Sequence, residues 1–122
     1  MTMIEEEAIR ELQLAYGRHF DAREAQAFAD LYTDDAVLVQ IDGKEIRTKD
    51  KFVKSVINMP PPNGGYHRML DSQITVDGDE ASATCNFQAR TATGKDVTGH
   101  YEDSYRRTAD GWKITRRKVI LN

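Results

Sequence analysis

The segment "YGRHFD", residues 16 to 21, sets a phenol, an imidazole and a carboxylate within six positions. Such groups can hydrogen-bond a developing oxyanion, move a proton and hold an imidazole in one orientation. On a continuous helix Asp21 would sit about 140° around the axis from Tyr16. The two converge only if the helix breaks between them, and a capping box of Asp21 with Glu24 at the start of a second helix supplies that break. His19 lies off the apolar stripe and reads as a surface or internally satisfied histidine. A second imidazole, His67, opens a strand directly after the Pro/Gly-rich run "MPPPNGG", where a pocket mouth is expected. Its plainer alternative is a strand-edge histidine bonded to backbone or water. Met69 and Asp71 share strand parity with His67 and are candidates to line the same cavity, with a solvated strand residue as the other reading of Asp71.

The elements that must position these residues follow from periodicity. Ile9, Leu12, Tyr16 and Phe20 recur at spacings of three and four, one face of a helix ending near residue 20. Phe28, Leu31 and Tyr32 give a second helix its stripe. "AVLVQI", the turn "DG" and "KEIRT" form a short hairpin. "KDKFVKSVIN" returns to helical spacing with Phe52, Val53, Val56 and Ile57 on one side, and the prolines of "MPPPNGG" end it. From Tyr66 onward the chain reads as long strands that meander through the turns "DGDE", "TATGKD" and "TADG". Alternation puts Val97, Gly99, Tyr101, Asp103 and Tyr105 on one strand face and His100, Glu102 and Ser104 on the other. Which face meets the pocket is not readable from the sequence, but Tyr101 and Tyr105 look core-like, which leaves His100 outward or at a subunit contact. In "WKITRRKV" a strict period of two puts Arg116 with Trp112 and Ile114. Helices, one hairpin, a helix and then a meander imply an α+β fold with helices on the concave face of a curved sheet, around a pocket.

The totals bound the function. The 122 residues fit one domain, 1–122. Seventeen Lys and Arg against 20 Asp and Glu leave a net charge of −3, without the basic surplus that nucleic acid needs. No apolar run reaches membrane-spanning length, and the acidic start "MTMIEEEAIR" is unlike a signal peptide, so the cytoplasm is expected. Cys85 has no disulfide partner and reads as a buried strand thiol rather than a nucleophile. No ligand spacing for a metal and no phosphate-cradling Gly loop is present, so neither metal nor cofactor is expected.

In their order, Tyr16 with Asp21, "LYTDDAVL", His67, "VDGDEASATCNF", "GHYEDSY" and "DGWKITRRKV" resemble the nuclear transport factor 2-like superfamily, within it the SnoaL-like branch of small dehydratases, dehydrochlorinases and polyketide cyclases. The resemblance covers nearly the whole chain and implies a cone-shaped fold. It implies His67 as general base, Asp21 as the carboxylate that orients it and Tyr16 as hydrogen-bond donor to a carbonyl gaining charge. Dehydrohalogenases of this group place an Arg about five residues beyond the Trp, where it holds a departing anion. Arg117 matches, against a solvent-facing stripe Arg116–Arg117–Lys118. Gln40 stands where ketosteroid isomerase carries its general base, which argues against that isomerase; Ala89 stands where bile acid dehydratases carry a further acid. The expected function is a cofactor-independent lyase acting on a mostly apolar, ring-containing small molecule. A non-catalytic binding or scaffolding domain of the same fold, such as a dioxygenase small subunit, is the alternative. The superfamily commonly dimerises, and an apolar, aromatic outer sheet face is expected to favour a homodimer.

Overall fold

The computed structural model describes residues 2–58, 66–90 and 94–122, with backbone only for residues 2 and 3. The expected loop over "MPPPNGG" (59–65) lies outside the described residues, as do residues 91–93 of the turn "TATGKD". The elements run α1 (Thr2–Asp21), α2 (Ala25–Ala29), β1 (Tyr32–Val39), β2 (Glu45–Arg47), α3 (Lys49–Ile57), β3 (His67–Asp77), β4 (Glu80–Arg90), β5 (Asp96–Thr108) and β6 (Gly111–Leu121). This is the expected α+β order.

The strands form one curved sheet in the order β2-β1-β6-β5-β4-β3. Strands β3 to β6 meander antiparallel, and β1 joins β6 in parallel. Inward positions of β4 alternate strictly as Ala81, Ala83, Cys85, Phe87 and Ala89. Three of these five are alanines, and Phe87 is the large side chain of the row. Ile9 and Tyr16 of α1, Phe28 of α2, and Phe52 and Val56 of α3 complete the core. Tyr32 stacks on Phe52, ring centroids 4.0 Å apart, and ties β1 to α3.

The two N-terminal helices depart from expectation. Helix α1 runs unbroken through Asp21, and Asp21 is its last residue rather than the cap of α2. The N-cap of α2 is Glu24, whose side chain makes no capping bond. What ends α1 is a Schellman motif: Glu24 N–H donates to His19 O (2.8 Å) and Arg23 N–H to Phe20 O (3.0 Å). The flanking side chains close it with a hydrogen bond between His19 Nδ1 and Glu24 Oε1 at 2.9 Å. Glu24 is therefore committed to His19, not to a capping box, and His19 is the satisfied histidine expected. Arg23 takes the left-handed position of the motif, φ +59°. Helix α2 is only five residues long, so Leu31 follows it and Tyr32 starts β1 instead of continuing a helical stripe. Ile57 is exposed rather than buried with Phe52 and Val56.

Two register shifts set which side chains face inward. Between Met69 and Ser72, β3 carries one residue more than β4, so Leu70 and Asp71 together oppose Asn86. Between Ser104 and Tyr105, β6 carries the extra residue Thr115, and Arg117 rather than Arg116 joins Ile114 on the inner face. The outer face is polar, with Ser82, Thr84, Asn86 and Gln88 on β4 and Thr98, His100, Glu102 and Ser104 on β5. The expected apolar, aromatic outer surface is absent from these two strands. Among the described residues no helix is long and apolar enough to cross a membrane.

Candidate active site

A cavity of about 430 Å³ opens between the helices and the sheet. Phe28, Leu38, Ile46, Phe87, Val97 and Val119 give it apolar walls, and Tyr16, Asp21, Gln40, Ser55, Tyr66, His67 and Tyr101 contribute polar atoms. Its size and lining suit a small ligand held by apolar contact and oriented by a few polar groups.

His67 and Asp21 meet at this wall. Asp21 Oδ1 lies 2.6 Å from His67 Nδ1, and Asp21 Oδ2 accepts the His67 backbone N–H at 2.7 Å. One carboxylate thus fixes both the ring and the first peptide of β3. An ionised carboxylate only accepts hydrogen bonds, so Nδ1 is the donor, and in the neutral ring Nε2 is the nitrogen left with a lone pair. Phe20 and Tyr16 pack edge-on to the imidazole, with centroids 4.8 and 6.1 Å away. The strand can come this close to α1 because residue 17 is glycine. A Cβ there would meet His67 O at 3.0 Å and His67 Cβ at 3.2 Å. Asp21 and Tyr16 therefore reach one site without a helix break, since His67 enters from β3 and touches both.

Tyr16 is buried in the cavity wall against Phe28 and Tyr101. Burial pushes its phenol above its ordinary value, while the Arg117 guanidinium and a hydrogen bond with Tyr101 pull the other way. It stays protonated at neutral pH and can donate a hydrogen bond.

Beneath Tyr16 lies a polar cluster that replaces the expected surface stripe. Arg117 is fully buried and bidentate to Asp103, Nε to Oδ1 at 2.8 Å and Nη2 to Oδ2 at 2.6 Å. Burial opposes its charge, but the charge and hydrogen bonds of Asp103, with smaller help from Tyr105 and Tyr101, more than restore it, holding Arg117 well above the ordinary arginine value. Its guanidinium lies 4.0 Å from the Tyr101 ring centroid and 4.4 Å from that of Tyr16. Tyr105 donates to Asp103 (2.5 Å), and buried Gln13 donates to Tyr105 (3.2 Å). Arg117 is not among the residues that line the cavity; it supports two that are.

The remaining candidates lie elsewhere. Asp71 is exposed and accepts both 3.2 Å contacts from Asn86 Nδ2, because the extra residue in β3 breaks its parity with His67. Met69 fills the seam between α1 and the sheet, near Gly17 and 3.9 Å from Cys85 Sγ, and does not line the cavity. Burial pushes the Cys85 thiol up to about 11, the state of an inert core residue. Among the polar cavity residues, sequence reasoning passed over Arg23, Asp42, Ser55, Tyr66 and Arg90. Tyr101 was legible as a core residue, but which face of its strand meets the cavity was not. No sequence signal distinguishes Arg23 from a solvated helix residue.

The sequence matches the family model of the SnoaL-like domain over residues 1–118. The chain belongs to the SnoaL-like domain family. Solved structures similar to this SnoaL-like domain share the nuclear transport factor 2-like fold. A protein of that fold from Novosphingobium aromaticivorans, described as cystatin-like, is 24% identical with TM-score 0.87, covering 98% of this chain and 83% of its own. A candidate aromatic ring hydroxylase from the same organism is 26% identical (TM-score 0.82; 98% and 90% covered). A candidate scytalone dehydratase, again from N. aromaticivorans, is 20% identical (TM-score 0.85; 99% and 86% covered). No curated protein matches the sequence.

Proposed function

We propose that this SnoaL-like domain is a cofactor-independent lyase of dehydratase type, acting on a mostly apolar, ring-containing small molecule. The observation that carries the reading is the 2.6 Å contact of Asp21 with His67 Nδ1 in the wall of an apolar cavity. His67 Nε2 takes a proton from a carbon next to a carbonyl or ring. The freed electron pair forms the C=C bond as the C–O bond on the neighbouring carbon breaks. The imidazolium returns the proton to the departing hydroxide, giving water and regenerating neutral His67. Asp21 holds the ring in the tautomer with Nε2 free and stabilises the imidazolium. Tyr16 donates to the oxygen that gains charge. Arg117 and Asp103 act as positioning residues, since they hold Tyr16 and Tyr101 without facing the cavity.

The test is a panel of hydroxylated ketones and steroids, followed by the absorbance of the new conjugated bond and the mass lost as water. His67→Ala should lower turnover roughly 10²- to 10⁴-fold. Turnover unchanged by that substitution rejects the mechanism. Tight binding without turnover across the panel would favour the non-catalytic alternative.

A further inference from the structure

Arg23 stands in the cavity wall two residues beyond Asp21, in a backbone conformation (φ +59°) that glycine adopts freely and arginine does not. The motif that ends α1 favours glycine at this place, so the chain keeps a side chain where the backbone favours none. That side chain reaches across the mouth, and Nη2 donates to Ile57 O at the end of α3 (3.1 Å). A carbonyl occupies one of five N–H groups and leaves the positive charge uncompensated. Among the described residues no carboxylate pairs with it.

The other charges on the wall are already engaged. Asp21 holds His67. Arg90 holds Asp96 through contacts of 2.9 and 3.3 Å and lies over the Tyr66 ring. Asp42 accepts the Lys44 backbone N–H at 3.0 Å, with the Lys44 ammonium 3.9 Å away. Ile41 and Leu121 line the cavity and leave apolar surface exposed at its rim.

We infer that Arg23 anchors an anionic substituent of the ligand. The substrate class is then an apolar ring-bearing molecule whose carboxylate, sulfate or phosphate group stays at the mouth while its ring enters the cavity. A guanidinium suits all three, because its planar fork meets two oxygens at once. The inference rests on the reading of this cavity as the ligand site.

Two fluorescent probes with one skeleton test it: 8-anilinonaphthalene-1-sulfonate, which is anionic, and N-phenyl-1-naphthylamine, which lacks the sulfonate. Titrations of the whole chain should show the anionic probe bound about tenfold more tightly, with the preference shrinking as salt rises. Arg23→Gln should bring the ratio to about one, and Arg18→Gln, on α1 and outside the cavity, should leave it unchanged. Arg23→Gly separates anchoring from bracing, because glycine relieves the backbone: the ratio should fall to about one with no loss of Tm. The inference is overturned if wild type binds the probes equally, if Arg23→Gln keeps the preference, or if Arg23→Gly lowers Tm and keeps it. His67→Ala should keep the preference. A panel turned over equally by wild type and His67→Ala would therefore remove the proposed reaction and leave the anion site standing.

Discussion

Asp21 bonds His67 twice, once at the ring and once at the backbone. Removing its charge should therefore affect orientation and electrostatics together. Asp21→Asn keeps an acceptor but loses the charge that stabilises an imidazolium. Hydrogen bonds to charged groups contribute about 1.5–3 kcal/mol, so kcat on any panel substrate should fall roughly 10- to 100-fold. KM should change little, since Asp21 meets His67 rather than the reacting carbon. A substitution that raises KM and spares kcat would show that Asp21 binds ligand directly. The pairing of Asp21 with His67 was accessible from the sequence only through resemblance. Local reasoning alone assigned the Asp21 carboxylate to a helix cap.

Among the elements, the approach of β3 to α1 is the most sensitive. Gly17→Ala would put a methyl group 3.0 Å from His67 O and 3.2 Å from His67 Cβ. Alanine is the better helix former, so local helix stability rises by about 1 kcal/mol while the strand is pushed outward. Activity should fall severalfold or more with little loss of Tm, comparing kcat/KM with a thermal melt. Equal activity would mean that the strand tolerates the shift. The order and type of elements were readable from periodicity, because apolar spacing follows burial directly. Asp71 and Arg117 were not, for one shared reason. Asp71 sits in the two-residue stretch of β3 that opposes one residue of β4, and Arg117 lies just past the extra residue of β6. Such an insertion reverses the parity that follows it. The end of α1 was missed differently: Asp21 with Glu24 has the composition of a capping box, yet the backbone closes a Schellman motif and sends Glu24 to His19.

Across the whole molecule, burial pushes the phenols of Tyr16, Tyr32, Tyr101 and Tyr105 upward, and the Cys85 thiol up to about 11. The unfolded thiol ionises near 9.0 and the unfolded phenols near 10.0. Below those values both states carry the same protons and these groups confer no pH dependence. Above them the unfolded chain binds fewer protons than the folded one, so stability falls as pH rises. Urea midpoints should hold at pH 8, begin to drop above pH 9 and drop more steeply above pH 10. A midpoint flat through pH 10.5 would mean that the buried phenols reach solvent without unfolding.

The parallel pairing of β1 with β6 has a consequence for how the chain comes into being. Tyr32 and Val37 find their partners at Ile114 and Arg116, near the opposite end of the sequence. During synthesis the helices and the β1–β2 hairpin emerge first and must wait for the final strand before β1 gains its second neighbour. Such long-range closure slows folding. Until then Leu38 and Phe28, later cavity walls, have no sheet opposite them. The nascent chain therefore exposes its cavity-lining side chains before it can enclose anything, and a chaperone present at that stage would meet the cavity as an open face.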